Sequence, residues 1–172
     1  MSQEKELPQH KTQSIRWPQR FDPGRAPIFV SNDLVAAAPA ETVWAWLVSA
    51  PLWHTFYSNA SNVMLEGGGR QLSSAVKFRW KSFGVNLDTV VEEFEPCQRI
   101  AWHATGIGVD AYHAWLLTPS SGGGCHILTQ ETQYGWLARL GKMAMPNRMH
   151  RYHQLWLEGL AKQAKAGPPL PR

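Results

Sequence analysis

Strict alternation of apolar and polar residues is the clearest signal in this chain. In AVKFRWKS, residues 75–82, Val76, Phe78 and Trp80 alternate with Lys77, Arg79 and Lys81, the period of a strand with one buried face. FGVNLDTVVEEF (83–94) continues with Val85, Leu87, Thr89 and Val91 on the inner side, and the break around Ser82 and Gly84 suits a tight antiparallel turn. RIAWHA (99–104) places Ile100 and Trp102 together. VDAYHAWLLT (109–118) separates Val109, Ala111, His113, Trp115 and Leu117 from Asp110, Tyr112, Ala114, Leu116 and Thr118. The first set is apolar except for one histidine, so that face points inward. After the turn TPSSGGG, CHILTQETQY (125–134) sets Cys125, Ile127, Thr129 and Glu131 against His126, Leu128, Gln130 and Thr132. Near the start, IFVSNDLVAAA (28–38) reads as a strand with Val30, Asn32, Leu34 and Ala36 on one face.

Helical periods lie between and after these strands. Pro39 opens a helix over 39–48, apolar at Val43, Trp44, Trp46, Leu47 and Val48 around most of its circumference, so both sides are expected to be covered. Ser49 and Pro51 begin a second short piece that carries Trp53. From Gly135 the period becomes helical over 136–165, and Pro146 divides it by removing a backbone donor. Beyond that break, Met149, Tyr152, His153, Trp156 and Leu160 form one stripe. A strand, two short helices, five or six antiparallel strands and a long C-terminal helix make an α+β fold with helices against one face of a curved sheet.

Composition narrows the setting. With 172 residues, 44% hydrophobic and 17% charged, the chain forms one domain with a substantial core. The expected organisation is a flexible arm over 1–26, in which Trp17 and Phe21 offer contacts to the domain, a domain over 27–166, and a Pro-rich disordered tail over 167–172. The formal charge of +4 comes from scattered basic residues, so nucleic acid is not expected as a partner. Cys97 and Cys125 form no CxxC pair and no disulfide framework. No secretory h-region and no apolar run of membrane-spanning length is read in the sequence, so the expectation is a cytoplasmic protein without membrane insertion, monomeric or homodimeric.

Nine tryptophans, with Trp44, Trp46 and Trp53 close together in AETVWAWLVSAPLWHTF, indicate either a heavy core or the walls of a space. The run AAPAETVWAWL, from Ala38-Pro39 through Val43-Trp44 to Leu47, resembles the START-like, helix-grip superfamily, in particular its polyketide cyclase/dehydratase-like (SRPBCC) branch. Trp53 fits that family's next aromatic, and Phe56 replaces the tryptophan usual three residues later. AWLLTPSSGGGCHILTQETQYG is similar to the family's Trp-x-Leu-x-Pro, Gly-Thr turn and Glu-Thr-x-x-Gly ending, with Cys125 where Thr is usual. The resemblance covers roughly residues 28–164. It implies a sheet wrapped around the long C-terminal helix, two short helices after the first strand, and an internal cavity for a small hydrophobic molecule. Trp44 would then pin the short helices to the sheet, with Trp53 and Phe56 at the closing end. The expected lining is Phe78, Trp80, Leu87, Trp102, His113, Trp115, Thr129, Glu131, Met149, Tyr152 and Trp156.

The candidate chemistry lies at inward polar positions. Asn32, His113, Thr129 and Glu131 all fall on inner faces by strand parity. A buried carboxylate needs a partner, and His113 falls opposite Glu131 if the intervening turn centres near Gly122. The pair either anchors a ligand carbonyl or hydroxyl, acts as acid and base in an aldol-type cyclisation or dehydration, or only satisfies itself. Lipid-like or aromatic polyketide-like ligands suit the first role and a cyclase/dehydratase the second; a third reading is a co-chaperone-like interaction module with a vestigial cavity. His150 and His153 share a helix face, but metal binding needs a third ligand that the local sequence does not supply, so neither a metal nor a cofactor is expected. EGGGR (66–70) lacks the Lys-Ser/Thr of a phosphate loop and reads as an ordinary loop. Lys77, Arg79 and Lys81 read as a solvated strand face.

Overall fold

Every strand in the computed structural model, which describes residues 14–170, belongs to one antiparallel sheet. The strands are β1 (Ile28–Ala36), β2 (Ser61–Leu65), β3 (Lys77–Ser82), β4 (Val85–Glu95), β5 (Arg99–Gly106), β6 (Val109–Pro119) and β7 (Cys125–Tyr134). Their order across the sheet is β1-β7-β6-β5-β4-β3-β2. Three helices complete the fold: α1 (Ala40–Val48), α2 (Trp136–Ala144) and α3 (Arg148–Ala166). A 3-10 segment, Ala50–Thr55, follows α1 and carries Trp53.

The alternations expected from the sequence hold at the level of burial. Phe78, Trp80, Leu87, Thr89, Val91, Trp102, His113, Trp115 and Leu117 all face the buried side. Phe83 and Gly84 both take positive φ, 49° and 81°, which gives the two-residue hairpin its twist-matching turn. A bulge between Val91 and Glu93 then changes the parity, and Phe94 meets the edge of Trp44 at 5.2 Å. That contact fastens α1 to the sheet. β2 escaped the pattern because it is only five residues long, is bulged against β3, and holds Asn62 at φ 53°. The EGGGR loop begins with a 3-10 turn over Glu66–Gly68.

The interior has two parts. In the first, Trp53 is fully buried and touches Phe78, Trp80, Trp102 and Trp156 at centroid distances of 5.0–6.0 Å. Its indole N–H donates to the Leu47 carbonyl at 2.9 Å. This cluster is solid core, so Trp53 is a plug at the α1 end and not a wall of the cavity. The second part is an open space on the α2 side of the same tryptophans.

The sheet's outer face explains why Tyr112, Ala114 and Leu116 are apolar. They form a second buried cluster with Ala101, covered by Ile15 and Phe21 of the segment before β1. Phe21 stacks on Tyr112 at 5.4 Å, Thr132 donates to the Phe21 carbonyl, and Arg99 donates to the Ser14 carbonyl at 2.7 Å. Residues 14–26 of the expected arm therefore lie against the domain, while residues 1–13 are outside the described residues. At the other end, the Gly167 carbonyl accepts from Trp46 at 2.7 Å, and Leu170 is exposed; the last two positions of the expected tail also fall outside the described residues.

Pro146 separates α2 from α3, as its missing N–H requires. α3 runs along β1 and α1, where Asn32 donates from its side chain to the His150 carbonyl and to Gln154, each at 3.1 Å. α3 approaches the Phe56 backbone so closely that a Cβ on Gly159 would overlap the Phe56 carbonyl oxygen. Gly159→Ala is therefore expected to destabilise the fold by ~1–3 kcal/mol in urea unfolding. Gly141→Ala, whose Cβ meets nothing within 4 Å, should stabilise by ~0.5–1 kcal/mol. Equal stability of the two variants would show that α3 is not pinned to Phe56.

Candidate ligand-binding site

The β6–β7 register sets His113 directly opposite Glu131, and α3 brings His153 to the same carboxylate. Glu131 Oε2 lies 3.1 Å from His113 Nδ1 and 3.1 Å from His153 Nε2. The Gln133 amide donates to Oε1. All three members of the triad are buried. The two imidazoles stack with planes within 5° and centroids 4.8 Å apart. His113 also meets Trp102, Trp115 and Trp156, so the charged group is enclosed by aromatic surface.

The hydrogen bonds settle the tautomer of His113. Its Nε2 lies 2.7 Å from Thr129 Oγ1, whereas that hydroxyl is 3.4 Å from the Ala114 carbonyl. Because the Glu131 carboxylate opposite Nδ1 can only accept, the neutral ring carries its proton on Nδ1 and its Nε2 accepts from the Thr129 hydroxyl. His153, donating from Nε2, keeps a buried Nδ1 with no partner among the described residues. Burial pushes His113 down to about 3, with the His153 field adding to it and Glu131 opposing. Burial would raise Glu131, but the field of His113, the hydrogen bonds from His153 and Gln133 and the field of His153 outweigh it and hold the carboxyl below its ordinary value. The resting site is thus a carboxylate held by N–H donors from His113, His153 and Gln133.

Glu131 and His113 supply His153 with the further ligands that its local sequence lacks, and the ligating atoms lie within 4.8 Å of one another. A metal must sit in the plane of each imidazole it binds. The parallel stacked rings do not direct their in-plane lone pairs to one point, and Oε2 is at hydrogen-bond distance from both nitrogens. The arrangement is a hydrogen-bonded triad, not a preformed chelate.

The triad faces a cavity of about 230 Å³. Trp80, Leu87, Trp102, His113, Glu131, Met149 and Trp156 of the expected lining do face it. Four expected residues do not line it. Phe78 packs into the aromatic core between Trp53 and Trp102. Trp115 lies behind His113 and Trp156. Thr129 stands behind His113 and orients the ring through its hydroxyl. Tyr152 turns edge-on to Phe83.

Sequence reading missed His153, Tyr57, Gln133 and the roof formed by Leu137, Ala138 and Gly141 of α2. The i, i+4 and i+7 spacing of Met149, His153 and Trp156 carried the signal for the histidine. Tyr57 stacks on Trp156 at 4.3 Å, and its hydroxyl accepts from Asn59 at 2.9 Å. Burial raises the phenol, so it keeps its proton as a donor. At the base of the roof, the Gly108 carbonyl accepts from Leu137 N–H at 3.1 Å. A Cβ on Gly108 would lie 2.7–2.8 Å from Leu137 and Trp136, so α2 is seated directly on the β5–β6 turn.

Residues 28–165 match the family described as "Polyketide cyclase / dehydrase and lipid transport". The chain belongs to that family. Among solved structures, a hypothetical protein, jhp0584 from Helicobacter pylori, is 32% identical with a TM-score of 0.82, covering 88% of this chain and 96% of its own. TTHA0849 from Thermus thermophilus is 15% identical with a TM-score of 0.68 over 83% of this chain and 100% of its own. The Zhui aromatase/cyclase from Streptomyces sp. R1128 is 16% identical with a TM-score of 0.65 over 83% of this chain and 99% of its own. The last two show the shared helix-grip fold. No curated protein sequence matches this chain.

The neutral buried His113 makes a pH prediction for this family member. A histidine held at about 3 when folded and near ~6.5 when unfolded contributes stability that is complete above the unfolded value. That contribution is lost as pH falls towards 3, by at most ~1.4 kcal/mol per pH unit. Glu131, depressed in the fold, acts in the same sense but only below its ordinary carboxylate range. His113→Phe should therefore flatten the fall in stability between about pH 6.5 and 4.5, measured by urea unfolding at each pH. An unchanged slope in the variant would show that His113 is already charged in the folded protein.

Proposed function

We propose that this chain binds a small, largely apolar molecule carrying one polar group, with the apolar part beneath α2 and the polar end at Tyr57 and the His113–Glu131–His153 triad. The observation that carries this reading is a buried ionised cluster in the wall of a mainly aromatic and aliphatic cavity, with Lys142 and Arg148 also in its lining, the composition expected of a pocket that orients a ligand by few polar contacts. The family description, which includes lipid transport, supports the same class of ligand. At about 230 Å³ the space lies just below the ~300–1,000 Å³ of drug-sized sites, which favours a small aromatic or short acyl compound. A ligand oxygen hydrogen-bonded to the unpartnered His153 Nδ1, or a carbonyl accepting from Tyr57, would complete the site's hydrogen bonding.

A second reading is favoured by the ionised state of Glu131 beside two imidazoles. In a cyclase, that carboxylate with His113 would take a proton from a carbon next to a carbonyl. The resulting carbanion would attack a second carbonyl, whose oxygen would receive, by way of the Tyr57 hydroxyl, the proton that Glu131 took, so that both groups return to their starting states. Its fold is shared with the Zhui aromatase/cyclase. The open cavity weighs against an interaction module with a closed core.

A panel of fatty acids, sterols, flavonoids and aromatic polyketide mimics tests both readings. A binder is expected to raise the melting temperature and change tryptophan emission, by ~2.7 kcal/mol of added stability at a hundredfold excess over Kd. Glu131→Gln should weaken binding by ~1–3 kcal/mol if the triad only orients ligand. If it is catalytic, binding should hold while turnover of a cyclisable mimic falls ~10²–10⁴-fold. No response to any member of the panel overturns the binding role.

A further inference from the structure

α2 has two apolar faces, and only one of them is covered. Leu137, Ala138 and Gly141 roof the cavity. On the opposite side, Trp136, Leu140 and Met143, at i, i+4 and i+7, are 59%, 53% and 80% exposed. No residue of α2 is fully buried. The turn on which α2 is seated adds Ile107, 76% exposed, and Met145 extends the patch beyond the helix. Large apolar side chains gathered around one cavity mouth are more than the scattered exposure of an ordinary surface.

The charges that the segment of α2 and the first half of α3 brings to this patch have one sign. Between Glu131 and Glu158 the sequence holds Arg139, Lys142, Arg148 and Arg151 and no acidic residue. Arg139, Lys142 and Arg151 are exposed, and the Arg148 guanidinium lies 4.7 Å over the Phe83 ring at the mouth. A second copy of the chain is a poor occupant, because a two-fold contact brings the same patch onto itself and sets these cations against one another. An anionic surface with an apolar interior complements both features.

We propose that the outer face of α2 docks on an anionic lipid bilayer, with Trp136, Leu140 and Met143 in the headgroup–acyl boundary and Arg139 and Arg151 at the phosphates. The helix is amphipathic and too short to span, and no helix among the described residues is long and apolar enough to cross a membrane. Docking leaves only α2 between the bilayer surface and the cavity, so a lipid-like ligand enters past α2 with little exposure to water. This deepens the proposed ligand-binding role and rests on it for the ligand's route, but the docking itself does not need the cavity. Gly135, at φ 109°, and Pro146 bound the docked segment.

Co-sedimentation tests the proposal, using vesicles of phosphatidylcholine alone and vesicles that also contain phosphatidylglycerol. The parent protein is expected to pellet with the anionic vesicles only and to be released by high salt. The double variant Leu140→Glu/Met143→Glu should lose at least ~10-fold in partitioning, and Arg139→Ala and Arg151→Ala about fivefold each. Because these side chains are exposed, melting temperature and ligand-induced shifts should stay at parent values. Three results overturn the proposal: no pelleting of the parent with anionic vesicles, equal pelleting of parent and double variant, or a concentration-dependent dimer that the double variant dissociates. Vesicle binding intact in a protein that answers no ligand would overturn the cavity reading alone.

Discussion

A carboxylate removed from water is the constraint on which the interior depends. Glu131 is buried, and an uncompensated charge there would cost several kcal/mol. Its compensation comes from three directions: His113 across the β6–β7 ladder, Gln133 two residues along its own strand, and His153 from α3. A slip of one residue in the β6–β7 register would turn His113 to the outer face, and a rotation of α3 would withdraw His153. The charge therefore couples sheet register to helix placement, which apolar packing alone specifies more loosely.

Around that charge the interior divides by chemistry. Trp53 gathers Phe78, Trp80, Trp102 and Trp156 into a close-packed plug, and its edge-to-face contacts with Phe78, Trp80 and Trp156 suit the quadrupoles of these side chains. Trp80, Trp102 and Trp156 turn their other surfaces to the cavity. The same aromatic residues thus act as core on one side and as binding wall on the other. A rigid plug keeps the cavity open because its wall has nowhere to collapse.

α2 stands apart from this rigid assembly. It contributes no fully buried residue, is seated on the β5–β6 turn through the Gly108 carbonyl, and is cut from α3 by Pro146. Elements with few buried contacts open at low free energy, and here the loosely held element is the one that roofs the cavity. The covering of the sheet's outer face by Ile15 and Phe21 is the opposite case, a segment before the first strand committed to the core.

Local periodicity determined most of the strands of this protein, because a half-buried strand must alternate and a proline must interrupt a helix. The inward faces of β3 to β7, the short helices after β1 and the break at Pro146 follow from those two rules. The pairing of His113 with Glu131 was also legible, since strand parity and turn length together set a cross-strand neighbour. β2 was not, being too short and too bulged to show a period. Residues brought together from distant segments were beyond local reading. His153 looks like any helix histidine until α3 is laid on β1 and β7, and Tyr57 until it meets Trp156. Phe78 and Trp115 have the inward parity of cavity residues, yet they belong to the packed core, because parity says which face a side chain takes and not what stands in front of it. Which inward positions meet space and which meet other rings depends on the curvature of the sheet and the seat of α3, and only the tertiary structure decides those.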